Sequence, residues 1–171
     1  PRSAVLAGIL AAEPLVSVGW DGRPVFRLAE SATESADGQR LTFKLRANVR
    51  FHTGDIVTAS QIRDLLLPKL LPTTEVADVT APDDRTLVID LKRAHSLKAV
   101  DLGQFIVDDD KRPELRTGPF KAPALKPTAI LEPFAEYYMG KPSVQTLEIL
   151  EYSNHRAAWT AMMRGEINVL H

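Results

Sequence analysis

The residue types that could carry chemistry are few and far apart. Four histidines, His52, His95, His155 and His171, are scattered along the chain. No two have the spacing that sets a pair of ligands on one helical face, and HExxH is absent. His52 follows a strand-like run and precedes Thr53-Gly54, His95 lies in the lead-in to a helix, and His155 stands in the first turn of another. Solvated or capping histidines are the better reading than metal ligands. Asp108, Asp109 and Asp110 are consecutive, whereas a calcium loop needs acids at alternate positions and a turn glycine. With Lys111 and Arg112 behind them they read as a solvated loop. Asp83-Asp84 falls where a hairpin turn favours aspartate. No serine occupies a GxSxG elbow. Thr117-Gly118-Pro119 offers one glycine and a proline, and proline lacks the N–H that a phosphate cradle uses. Zero cysteines exclude disulfides, thiolate zinc sites and cysteine nucleophiles. No metal, no cofactor and no enzymatic turnover are expected.

Composition narrows the partners. Of 171 residues, 44% are apolar and 25% charged, which is ordinary globular usage. A chain of this size fits one domain, or one lobe of a larger protein. The net charge of −1 gives no electrostatic footprint for nucleic acid or an anionic membrane. Aromatics make up 6% and do not alternate with basic residues, so base stacking is not expected. Trp20 and Trp159 read as packing residues. No apolar run approaches the roughly 20 residues needed to cross a bilayer. Pro1 opens the sequence without an initiator Met, signal peptide or lipid-attachment cysteine, so targeting information is expected upstream of it.

The elements that would position these residues follow from periodicity. Ser3–Glu13 is Ala/Leu-rich and apolar all round, which predicts a buried helix ended by Pro14. "LVSV" is a short strand and "WDGRP" a turn. Leu41, Phe43 and Leu45 alternate with Thr42, Lys44 and Arg46 after the Asp37-Gly38 turn signal, so a hairpin should bury the first set, with Phe51. Thr58 followed by Gln61 is a capping-box signature for the helix "IRDLLLPKLL", which Pro68 should end or kink. "EVADVTA" and "TLVIDLK" flank a turn as a second hairpin. "HSLKAVDLGQF" predicts a short helix and "VDDDKRPELR" an exposed loop. "GPFKAPAL" and "AILEPFAEY" predict strands about a Lys126-Pro127 turn, and "TLEILEY" another strand. Asn154 caps a helix over "HRAAWTAMMRG", with Ala157, Ala158, Ala161 and Met162 on one face and Gly165 as its C-terminal cap. "INVL" is a final strand. The class is mixed α/β with antiparallel pairing early on.

Several stretches together resemble the extracellular solute-binding proteins of peptide and nickel ABC importers, the oligopeptide/dipeptide-binding type. They are Glu13-Pro14-Leu15-Val16, Asp21-Gly22-Arg23-Pro24 through Leu28-Ala29-Glu30-Ser31, and Asp37-Gly38 through Leu41–Arg46, Val49, Phe51-His52, Gly54, Val57 and Thr58-Ala59. Downstream come Thr117–Lys121, with Arg116 in place of the first glycine of the family's G-T-G-P-F-K, then Tyr138-Met139-Gly140-Lys141-Pro142 and Ala158–Val169, with Asn168 for the usual Asp. In this order they cover nearly the whole chain.

The resemblance implies a periplasmic-binding-protein-like (type II) lobe, a mixed sheet flanked by helices. Residues 1–171 would form a single domain, the first lobe of a two-lobed protein, with the usual inserted subdomain reduced or absent and the second lobe missing. Such a protein captures a peptide or other small solute between lobes that close about a hinge and hands it to ABC permease subunits. It implies a periplasmic or extracellular location, with a lipid anchor in an absent upstream segment as one form of it. Arg2, Ser3, Arg116 and Thr117, at segment ends facing the family's cleft, are the expected ligand contacts. A ligand-sensing module of a regulator is the alternative, and an unrelated α+β enzyme domain a remote one.

Overall fold

The computed structural model describes residues 2–72, 75–94, 99–109, 111–122 and 129–170, the side chains of 2–4, 99 and 100 excepted. His95, Asp110, the Lys126-Pro127 turn and His171 lie outside them.

A four-stranded antiparallel sheet carries the larger core. Its order is β3 (Ala29–Glu34), β4 (Arg40–Leu45), β6 (Thr86–Leu91), β5 (Val76–Asp83). Asp37 and Gly38 turn β3 into β4. Gly38 takes a φ of 66°, which a side chain would strain. Asp37 Oδ1 receives the Ser35 hydroxyl and the Gln39 N–H. The expected alternation is found: Leu41, Phe43, Leu45 and Phe51 are all buried. Register places Leu41 opposite Ile89 and Phe43 opposite Leu87, and Ile89 opposite Val79, so one face is a continuous apolar stripe.

Helix α2 (Ala59–Leu70) covers that stripe with Ala59, Ile62, Leu65, Leu66 and Leu70. Its start is a complete capping box. Thr58 Oγ1 accepts from the Gln61 N–H, and Gln61 Oε1 accepts from the Thr58 N–H. The helix does not stop at Pro68. It runs through to Leu70, whose full burial holds the last turn in place. The hairpin of β1 (Val16–Val18) and β2 (Pro24–Phe26) and the short α3 (Ala99–Gly103) complete this half. β2 is a strand that the sequence did not announce.

The second half is thinner. α1 (Arg2–Ala11) packs on a three-stranded sheet of β7 (Phe120–Lys121), β8 (Ala129–Pro133) and β9 (Leu147–Ile149). α1 is not buried all round: Ala7 and Ala11 are inside, while Val5 and Ile9 are 65% and 59% exposed. Small residues face in because the chain approaches closely there. A Cβ on Gly118 would lie 2.5 Å from the Ala11 carbonyl carbon. β8 buries Ala129 and Leu131 against α1 and leaves Ile130 bare on its other face.

α4 (His155–Met163) begins at Asn154, whose Oδ1 accepts from the Ala157 N–H. It ends with Gly165 and Glu166 N–H groups donating to Met162 and Ala161 carbonyls. Only Ala158 and Ala161 of this helix are buried, and Met162 is on the outside. Residues 167–170 form no strand, because nothing among the described residues pairs with them. The mixed α/β class holds. All pairings among the described strands are antiparallel, and they fall in three sheets rather than one.

Candidate functional site

The buried polar residues among those described are Glu13, His52, Arg116 and Thr117. They lie along the seam where the two halves meet. The chain segment 116–121 is clamped from both sides. His52 N–H donates to the Arg116 carbonyl at 2.8 Å, and the Gly118 N–H donates to the Ala11 carbonyl at 2.9 Å. His52 Nε2 lies 3.0 Å from the Gly118 carbonyl oxygen. That partner can only accept, so the ring carries its proton on Nε2. Lys121 Nζ returns a bond to the His52 carbonyl, and Arg116 Nη1 donates to the Ala122 carbonyl. Phe134 packs its ring edge-on against His52, with Lys121 over its face.

Burial governs the electrostatics. His52 is held neutral, its pKa pushed down to about 4, chiefly by desolvation and further by the charges of Lys121 and Arg116. Glu13 closes the other end of the seam. Its Oε1 receives the Tyr137 hydroxyl at 2.8 Å and the Tyr138 hydroxyl at 3.4 Å. Desolvation raises its pKa, opposed by those hydroxyls and by the charges of Arg27 and Arg46. Arg46 lies over the Tyr138 ring and donates to the carbonyl of Arg27. Burial likewise raises the Tyr138 phenol, to about 12. Among the described residues, Glu13 Oε2 and Thr117 Oγ1 are buried without a hydrogen-bond partner.

The residues expected to touch ligand are placed differently. Arg2 and Ser3 form the first turn of α1, and their side chains lie outside the described residues. Arg116 is 2% exposed and Thr117 fully buried, so neither presents an atom to solute in this chain. In this chain both lie at the joint between the halves. Glu13 and His52 were visible only as motif letters, since nothing in a sequence marks a residue as buried between two cores. The reading of the tryptophans is corrected. Trp20 caps the β1–β2 hairpin in full contact with solvent, and Trp159 is half exposed. Among the described residues no group of three or more His, Asp or Glu could hold a metal ion.

Fold comparison places this architecture. NikA from Brucella suis, solved in complex with Fe(III)-EDTA, superposes with a TM-score of 0.80 at 23% identity over 95% of this chain. An ABC transporter substrate-binding protein from Sinorhizobium meliloti gives 0.83 at 20% identity over 97%. MoaA from A. tumefacien R10, in complex with mannopinic acid, gives 0.78 at 25% identity over 96%. The chain spans only 38%, 38% and 39% of those three proteins. These likenesses establish the type II binding-protein fold. Residues 23–171 match the family described as Bacterial extracellular solute-binding proteins, family 5 Middle. The chain belongs to the family 5 bacterial extracellular solute-binding proteins.

Proposed function

We propose that this chain is the first lobe of a two-lobed solute-binding protein that serves an ABC importer. Its task is to capture a small solute outside the membrane and release it, chemically unchanged, to a permease. The observation that carries the reading is the family match over residues 23–171. The open second half of the fold supports it, because a lone wall cannot enclose a ligand. Small-molecule sites generally bury about 70–90% of a ligand's surface.

Similar proteins suggest the solute class. Their structures hold Fe(III)-EDTA, agropinic acid, mannopinic acid and Ni(L-His), and another is a putative peptide binding protein. Carboxylate is common to these ligands and to peptides, so a peptide or similar carboxylate-bearing solute is the proposed cargo. In this reading the inserted subdomain is reduced or absent, the second lobe lies elsewhere in the protein, and the location is periplasmic or extracellular, with an upstream lipid anchor as one way to hold it there. Arg2, Ser3, Arg116 and Thr117 remain the proposed cleft contacts of the intact protein, the last two being buried in this chain.

Calorimetric titration with a pool of short peptides tests the proposal, first on this chain and then on the intact protein that carries it. The chain alone should bind no more tightly than about 1 mM, roughly −4 kcal/mol. The intact protein should bind at least a hundredfold more tightly. Micromolar binding to the chain alone would show that its site is complete, and the lobe reading would fail. No binding by either protein would remove peptides as cargo.

A further inference from the structure

We propose a small-molecule site on the outer face of α4, where Arg156 and Arg164 hold the carboxylates of a small organic acid. It goes beyond the cleft of a two-lobed protein, because every residue it needs is in this chain.

A groove of about 450 Å³ runs along the helix between Tyr152 and Asn154 at one end and Arg164 and Glu166 at the other. That volume is within the range of small-molecule sites, about 300–1,000 Å³. Tyr152, Arg156, Ala157, Thr160, Ala161 and Arg164 are among the residues that line it. Arg156, Thr160 and Arg164 are spaced by four, so they share one side of the helix.

The groove is rich in unused donors. Among the described residues no hydrogen bond or ion pair engages the Arg156 guanidinium. Arg164 Nη1 reaches only Glu166, at 3.9 Å with both side chains well exposed, a contact of little strength. Other polar groups are committed: Thr160 Oγ1 donates to the Arg156 carbonyl, and Asn154 Oδ1 receives the Ala157 N–H. Two planar forks with little to grip fit carboxylates, which they can hold in bidentate fashion. Arg156 also breaks a local rule. It sits in the first turn of α4, against the positive end of the helix dipole, and no acid in that turn offsets it. Departures of this kind tend to collect at functional positions. Ala157, Ala161 and Tyr152 in the lining would select among anions. They give a carbon skeleton something to pack on, and a bare inorganic ion would leave them unused.

Citrate is the probe, titrated into the intact protein that carries this chain at constant ionic strength and followed by amide NMR shifts. Saturable shifts confined to Tyr152–Glu166 are expected, with a millimolar Kd. Arg156→Gln should weaken binding at least tenfold and Arg164→Gln severalfold, while Arg93→Gln, on the other half of the molecule, should leave it unchanged. Inorganic phosphate should bind at least tenfold more weakly than citrate. Non-saturable shifts, undiminished binding in Arg156→Gln, or equal affinity for phosphate and citrate would each overturn the proposal.

Discussion

The four-stranded half and the three-stranded half use the same alternating strand pattern and reach different ends. In the first, Leu41, Phe43, Leu87 and Ile89 are sealed under Ile62, Leu66 and Leu70 of α2. In the second, Leu131 and Phe120 face the alanines of α1, and the cluster has few other members. Its outer surfaces carry Val5, Ile9, Ile130, Trp159, Met163 and Val169, all more than half exposed. One half is a finished core. The other has a smaller buried cluster and leaves those side chains exposed. At the seam of Glu13, His52, Arg116 and Thr117 the contacts are polar: His52 and Arg116 bond to backbone, and Glu13 to the Tyr137 and Tyr138 hydroxyls.

The largest expected effect sets the two cores against each other. Phe43→Ala should cost about 3–5 kcal/mol in denaturant unfolding, while Leu131→Ala should cost nearer 2 kcal/mol, the low end for a buried leucine. Equal losses would mean that the halves are equally well packed.

The seam should make stability depend on pH. His52 titrates near 6.5 in the unfolded chain and at about 4 in the fold, so the unfolded state binds more protons between those values. Its contribution is present above pH 6.5 and is lost as pH falls towards 4, about 3 kcal/mol at most. Glu13 works in the other direction. Its raised pKa means that the fold holds the proton more tightly, so its contribution declines as pH rises above 4.5. The two oppose each other above pH 4.5, and His52→Gln should lower the stability gained between pH 4 and 6.5 in melting curves. An unaltered gain in that variant would place its origin elsewhere.

Gly118→Ala comes next. Its new Cβ would meet backbone of Leu10 and Ala11 rather than a movable side chain. A loss of about 1–3 kcal/mol is expected, with α1 detached first, visible as lost protection of the amide at position 118, which bonds to the Ala11 carbonyl. The smallest effect belongs to the finished half's helix cap: Thr58→Ala should cost about 1 kcal/mol.

How far the sequence reached differs between the halves for the same reason. Asp37-Gly38, the alternation of Leu41 to Leu45, and Thr58 with Gln61 are local signals, and each was legible because neighbours in sequence decide it. Ser3–Glu13 is apolar on every side, so its composition names no inward face, and the alanines took that place because Gly118 comes so close. Gly118 itself reads as a turn residue, yet its reason is contact with a helix more than a hundred positions earlier. Arg116 and Thr117 read as loop residues open to ligand, and the packing of α1 against β7 buries them. "INVL" has a strand's composition, but a strand needs a partner that no local pattern supplies.

Native-state hydrogen exchange on this chain tests most directly the claim that the four-stranded half is the more completely packed of the two. Amides of β4 and β6 should exchange only through global unfolding, while those of β8, β9 and α4 should exchange at least about a hundredfold faster, a difference of roughly 2.8 kcal/mol in opening free energy. Uniform protection across both sheets would show that the halves are equally well packed, and would contradict that claim.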